Sequence, residues 1–395
     1  MRRIAYGRIT TSNNVRRIAL DYTPAFEQTG GIGRYTRELT AALAAIDSSS
    51  SFRLFVAGAA KTQLPQPPAE NFTWKPTRIS AKWLARLWHR MGLRLPVEAF
   101  VGPVDLFHAT DFVLPPTRTE TRTLLTVHDL SFIRVPSAAS PPLKAYLDET
   151  VPRSVEAADH VLADSAATKS DLIDLYGTRA DKITVLYSGV DSAFSQVSDP
   201  KELESARVKY GLEQVSYLLS VGTLQPRKNY SRVIEALSEV RQMGQDLHYV
   251  VAGGSGWLED EMRQTIERTE MNDYVHLLGL VEDRDLPALY SGARLLAMVS
   301  LYEGFGLPAL EAMACGTPVV TSNLSSLPEV GGEAALLVDP YDTGAIRDAI
   351  VKLETDADRR AQLIQEGFLQ AKRFTWMRAA KQLQSIYDEM LSMRR

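Results

Sequence analysis

At 395 residues, 45% of them hydrophobic, the chain is too long for a single compact core and apolar enough to bury two. A formal net charge of −4 excludes a nucleic-acid-binding footprint, and a single cysteine, Cys315, excludes an internal disulfide framework. Residues 1–195 carry 23 Lys+Arg against 19 Asp+Glu, leaving 21 against 29 in the remainder, so a mildly basic half precedes an acidic one.

No apolar run reaches the ~20 residues that span a bilayer, and Met1–Asn14 is polar and Arg-bearing, without the apolar centre of a secretion signal. A reducing, cytoplasmic setting is the expectation. Short β-branched or apolar runs then alternate with helical patterns, as in parallel sheets with crossover helices. The first series of strands falls at 16–22, 52–58, 104–110, 122–129, 160–165 and 183–189, and the second at 217–223, 247–254, 275–279, 293–300, 318–323 and 334–340. Many of these runs end near Gly, His, Asp or Ser, and ligands of open parallel sheets bind outside the carboxyl ends of the strands. The expected α/β architecture is a Rossmann-like domain over 15–195, a second over 210–375, and a final helix over 376–395 that returns to the first domain. The polar stretch from Asp191 to about Gly211 reads as a linker, and Met377, Ala380, Leu383, Ile386, Tyr387 and Met390 share one face of the final helix.

The most informative segment is SLYEGFGLPALEAMACGTPVV at 300–320. Glu303 follows a strand, Gly304 and Gly306 make a turn, and Glu311 falls on the next helix. Free amides at a helix start suit a bound phosphate, whereas neighbouring carboxylates suit sugar hydroxyls, which are neutral donors. This segment resembles the signature of glycosyltransferase family 4, the group 1 glycosyltransferases, which are retaining enzymes of GT-B fold, and the resemblance extends over nearly the whole chain. It implies that Glu311 bonds the nucleotide ribose, that Glu303 contacts the transferred sugar, and that the Gly304, Phe305, Gly306 and Leu307 loop lies against sugar and diphosphate.

In LLSVGTLQPRKNYSRVIEAL at 218–237, a strand ends at Gly222 and Thr223, and Arg227 and Lys228 precede a helix. Two adjacent cations there oppose the helix dipole, and a diphosphate leaving group would give them a partner. The family commonly has Arg directly after this glycine, where Thr223 stands, so Arg227 is expected to share the load with Lys228. In DYTPAFEQTGGIGRYTREL the Gly-rich turn resembles the family's loop that approaches donor or acceptor across the cleft, which nominates Gly31, Ile32 and Gly33; the plainer reading is a tight turn. His128 ends the 122–129 strand, and the family often has a histidine there against the transferred sugar. His108 is a lesser candidate, and a satisfied core histidine is the other reading for both.

The Asp-x-Asp string at 283–285 matches a divalent-ion motif of another glycosyltransferase class, but it opens a helix, so Asp283 or Asp285 reads as its cap and no metal or other cofactor is expected. Leu280 and Val281 would flank the nucleotide base in the resembling family. Lys82, Arg86 and Arg90 recur every four residues in 80–96, opposite Trp83, Leu84, Leu87, Trp88 and Met91. That pattern fits either a helix resting on the anionic inner face of the cell membrane or a surface helix with its apolar side in the core. The expected activity is transfer of a hexose from a nucleotide sugar held by the domain over 210–375 to a saccharide or lipid-linked saccharide on the side of the domain over 15–195, with mannose from GDP-mannose preferred because SVGTLQPRKNY and IALDYTP…GGIGRYTREL most resemble the mannosyltransferase branch. A UDP-sugar transferase of the same fold is the alternative. A nicotinamide dehydrogenase should carry GxGxxG with an acidic residue ~20 positions on, which neither series does. A non-catalytic nucleotide- or sugar-binding protein would not need paired cations facing paired carboxylates.

Overall fold

A computed structural model of the chain describes residues 15–256 and 260–393, so the reading of Met1–Asn14 lies outside the described residues. The first sheet contains β1 (Arg17–Asp21), β2 (Ser51–Val56), β3 (Phe72–Pro76), β4 (Leu106–Ala109), β5 (Arg122–Val127), β6 (His160–Ala163) and β7 (Ile183–Val185), in the order β3-β2-β1-β4-β5-β6-β7. The second contains β8 (Tyr217–Val221), β9 (His248–Ala252), β10 (Val275–Gly279), β11 (Leu295–Met298), β12 (Val319–Ser322) and β13 (Ala335–Val338), in the order β10-β9-β8-β11-β12-β13. Every pairing in both is parallel. β4, β11 and β12 are buried along their whole length, and β11 accordingly reads as a continuous apolar run. Strand order reverses between β1 and β4 in one sheet and between β8 and β11 in the other, and these two switch points are where crevices open.

One strand escapes the sequence reading. β3 is FTWKP, an edge strand whose Phe72 stacks on Phe52 with ring centroids 4.4 Å apart; only an edge accommodates Pro76, and the proline hides the strand. The supposed linker also carries structure. Within 191–211 lies helix Pro200–Tyr210, capped by Asp199 through the Lys201 amide and closed by left-handed Gly211. It buries little beyond Ala206 and rests on helix Leu286–Gly292, which explains its polar composition.

The chain crosses between the domains at Val190 and returns at Thr375, and these two residues pair as a parallel bridge. A Cβ on Gly189 would stand 2.1 Å from the Trp376 amide nitrogen, so glycine lets the two crossings touch. Helix Trp376–Ser392 then packs on helix Gly31–Ile46 of the first domain. Its buried face is Trp376, Ala379, Ala380, Leu383, Ile386, Tyr387 and Met390. Met377, expected on that face, is exposed, because a stripe that begins at Trp376 turns the next residue outward.

Segment 80–96 is a short α-helix, Ala81–Ala85, followed by a π-turn, Arg86–Arg90, which breaks the four-residue spacing of its cations. Its tryptophans consequently part: Trp88 packs on the first core and donates from Nε1 to the Leu95 carbonyl at 2.9 Å, while Trp83, Met91 and Leu93 are exposed. Among the described residues no helix is long and apolar enough to cross a membrane.

Candidate active site

Apolar β11 delivers the chain into the loop 299–306, and helix Leu307–Ala314 follows. Gly306 caps that helix at φ 119°, a conformation that favours glycine, and a Cβ there would press on Leu327 at 2.9 Å. Ser326 Oγ donates to the carbonyls of Glu303 (2.9 Å) and Phe305 (2.7 Å), and the Glu303 amide donates to Ser325 Oγ (2.9 Å). The loop is therefore held through its backbone, leaving the Glu303 carboxylate free for other partners.

Those partners come from the other side of the second switch point. β8 leads into Gly222, whose carbonyl accepts from the Tyr230 hydroxyl at 2.8 Å, and the chain makes a tight turn at Pro226–Lys228. Left-handed Asn229 fixes that turn by donating to the Val299 and Pro340 carbonyls at 3.0 and 2.7 Å. The two cations thus lie just before the helix Tyr230–Gln242, not within it. Arg227 Nη1 and Lys228 Nζ each reach a different Glu303 oxygen at 2.7 Å. Burial alone would push the Glu303 carboxyl up, but Arg227 and Lys228 outweigh it and hold it down at about 2. Burial, with Arg227 beside it, lowers the Lys228 ammonium despite Glu303.

Glu311, one turn into the helix, is 2% exposed. It accepts from the Tyr290 hydroxyl at 2.8 Å and forms an ion pair with Arg34, which comes from the facing domain. Arg34 also holds Asp283 at 2.8 Å. Asp285 stands at the N-cap position of helix Leu286–Gly292, but its carboxylate makes no capping bond and accepts instead from Lys209 and Tyr210, while Asp283 faces Arg34. Among the described residues no group of three His, Cys, Asp or Glu side chains is placed to hold a metal ion.

On the first-domain side, Gly31 and Ile32 open helix Gly31–Ile46 and line the cleft. Gly33 does not line it. Its Cα faces inward, where a Cβ would stand 1.9 Å from the Gln28 carbonyl oxygen, so this glycine serves helix packing. His128 is buried at the end of β5, with Nδ1 2.8 Å from Asp164 and Nε2 2.8 Å from the Thr110 carbonyl. Both neighbours are acceptors, so the ring satisfies them by carrying both protons, and although burial opposes the charge, Asp164 draws its titration up to about 9. A ring so held has no free nitrogen with which to act as a base. His108 is the satisfied core histidine: it bridges Tyr387 of the final helix and Thr126, at 2.8 Å each. The domains meet closely at Gly304, where a Cβ would lie 2.2 Å from the His128 carbonyl oxygen.

All the candidate residues except Gly33 and His108 surround one cleft of about 360 Å³ between the domains, including Gly222, Thr223, Leu280 and Val281. Sequence reasoning missed Arg34, Asp129 and Asp164, which also line it. Arg34 carries a faint signal, as a cation in the first turn of a helix.

Comparison with known proteins gives this cleft its family. Residues 29–194 match the family described as Glycosyltransferase Family 4, and residues 204–370 match Glycosyl transferases group 1. The O-antigen chain mannosyltransferase B of Escherichia coli is 34% identical over 370 residues, which cover 90% of this chain and 95% of that protein. The chain belongs to the group 1 glycosyltransferases. The glycosyltransferase also resembles the serotype-specific mannosyltransferase WbdA of E. coli, at 31% identity over 231 residues, 57% of this chain and 28% of that longer protein. Its fold is shared with sucrose-phosphate synthase from Thermosynechococcus elongatus, at a TM-score of 0.76 and 21% identity over 95% of this chain and 99% of that one. The two facing sheets are thus the GT-B arrangement, and the chain is a hexosyltransferase with mannosyltransferase relatives.

Proposed function

We propose that the glycosyltransferase moves mannose from GDP-mannose to a saccharide acceptor with retention of anomeric configuration and without a required metal ion. The observation that carries the donor site is the meeting of Arg227 and Lys228 on Glu303, both at 2.7 Å, beside the start of helix Leu307–Ala314. The trio holds two cations and one anion in a buried place. A diphosphate arriving between the cations and the amides of Phe305, Gly306 and Leu307 neutralises that excess and releases the Glu303 carboxylate to accept from hydroxyls of the transferred sugar. As the bond to the sugar breaks, the cations stabilise the charge growing on the departing phosphate, which is the largest service such a site renders. Glu311 exchanges Arg34 for the ribose hydroxyls, and Leu280 and Val281 flank the base. His128, with both ring nitrogens engaged, places a positive edge near the sugar and takes no proton; the departing phosphate receives the proton of the attacking hydroxyl on the same face.

The mannosyl preference rests on the O-antigen chain mannosyltransferase B relative, similar over nearly the full length of both chains. Exposed Trp83, Met91 and Leu93, with Arg86 stacked 4.8 Å from the Trp83 ring, form a basic and apolar patch suited to the anionic inner face of a membrane, where a lipid-linked acceptor would be met. A thermal-shift panel of GDP, UDP, ADP and CDP and their hexose conjugates, with and without EDTA, tests the donor. A selective, EDTA-insensitive rise with GDP and GDP-mannose, lost in Glu311→Ala, is expected. A rise with UDP-sugars instead overturns the GDP assignment, and dependence on a divalent ion overturns the metal-free one.

A further inference from the structure

The domains touch a second time beyond the cleft, on helix Ala166–Tyr176 of the first domain. An α-helix begins with four amides that find no partner within the helix. Ser165 answers two of them: its Oγ accepts from the Thr168 amide and its carbonyl from the Lys169 amide, both at 3.0 Å. The first two are answered by the other domain. Ala166 and Ala167 each donate at 2.8 Å to a different carboxylate oxygen of Glu329, which sits on helix Leu327–Gly331 of the second domain. The Tyr187 hydroxyl, on the stretch from β7 to the crossing at Val190, donates to the same carboxylate at 3.0 Å. A full negative charge from one domain thus rests on the positive end of a helix in the other.

The same helix is held at another point. Buried Asp171 accepts from the Tyr302 hydroxyl of the second domain, and Arg134 fixes that carboxylate from Nε and Nη2 at 2.8 and 2.6 Å. Both contacts lead to Glu303. Tyr302 directly precedes it, and the Glu329 amide donates at 3.0 Å to the carbonyl of Ser326, whose Oγ holds the carbonyls of Glu303 and Phe305. Behind Glu329, the Val330 carbonyl accepts from Gln370 Nε2 at 2.9 Å, so the helix that carries the carboxylate is itself anchored. Separation of the domains breaks the Glu329 and Tyr302 contacts together and frees the Glu303 loop from the first-domain wall.

We propose that Glu329 is a positioning residue for transfer: its carboxylate caps helix Ala166–Tyr176 from the opposite domain and, with Tyr302 on Asp171, sets the Glu303 loop against the first-domain wall of the cleft. The inference goes beyond the donor site and rests on that reading only for the reaction it serves. The carboxylate is specifically required. Both amides are donors, and a glutamine in its place turns an NH2 group, itself a donor, toward one of them, while an aspartate falls one methylene short. Bonds from amides to an ionised carboxylate are also the stronger kind, which suits a contact that must hold two domains in register.

The test uses the whole chain and compares Glu329→Gln with Ser165→Ala, which removes a cap of the same helix from within the first domain. Turnover of GDP-mannose with a mannoside acceptor, the thermal shift with GDP, and small-angle X-ray scattering with and without GDP are measured on each. In Glu329→Gln, kcat is expected to fall at least about tenfold and the radius of gyration to rise, while the GDP shift persists and verifies that the second domain folds. In Ser165→Ala the melting midpoint falls, but kcat stays within about twofold and the radius is unchanged, which separates linking the domains from capping the helix. An unchanged kcat or an unchanged radius in Glu329→Gln overturns the proposal, as does an equal loss of kcat in Ser165→Ala. If the unaltered chain neither turns over GDP-mannose nor shifts with GDP, the donor reading falls instead. The nucleotide-free radius then decides the role of Glu329: a larger value in Glu329→Gln upholds it and an equal value overturns it.

Discussion

Replacing Glu303 by Gln keeps the shape of the side chain and removes the anion on which Arg227 and Lys228 converge. Glu303 is 6% exposed and each contact is 2.7 Å, so the change leaves two cations facing each other in a desolvated place. Removing one partner of a buried pair costs about 3–5 kcal/mol. For a domain of this size each kcal/mol moves the midpoint by about 2–4 °C, so Glu303→Gln lowers the second-domain transition by about 6–12 °C at the smaller figure. A nucleoside diphosphate supplies the missing negative charge, so the variant recovers more on adding GDP than the unaltered chain gains, even as transfer fails. Scanning calorimetry with and without saturating GDP measures both quantities. A variant that melts within about 2 °C of the unaltered chain and shows the same GDP shift would refute the coupling of these cations to Glu303 and to phosphate.

Gly304→Ala places a methyl against the His128 carbonyl and keeps the domains from meeting; turnover drops at least about 100-fold while the GDP shift persists, measurable by pairing a transfer assay with thermal shift. Gly33→Ala is expected to destabilise the first domain by about 3 kcal/mol through its clash with Gln28, whereas Gly31→Ala, with open space around it, leaves the urea midpoint in place. His128 titrates near 9 in the folded chain against about 6.5 unfolded. Its contribution is therefore full below pH 6.5 and lost as pH rises through 9, and His128→Gln flattens that slope in a pH series of melts.

Much of the architecture was legible because buried parallel strands announce themselves as apolar runs, and all twelve expected runs contain a strand of the two sheets. β3 was not, since an edge strand needs no such run and Pro76 disguises it. The carboxylates Glu303 and Glu311 stood out through their glycine-punctuated spacing, but what they touch did not. Arg34 lies 277 residues from Glu311 in the chain, and only the closing of two domains brings them together. Gly33 was misplaced because one glycine of a turn looks like another until the carbonyl of Gln28 is seen against it. An aspartate of 283–285 read as a cap from local pattern, whereas the partners of the two, Arg34, Lys209 and Tyr210, are all distant in sequence. The tryptophans of 80–96 were expected on one face, and the π-turn at Arg86–Arg90 parts them.

The central claim is that the cleft transfers a hexose from a nucleotide sugar, and the most direct measurement is the release of nucleoside diphosphate from GDP-mannose by the whole chain in EDTA, with and without a mannoside acceptor, followed by NMR of the product. The account predicts release that depends on the acceptor and an α-linked mannoside as product. Binding of GDP-mannose with no release under either condition, or a product of inverted configuration, would contradict it.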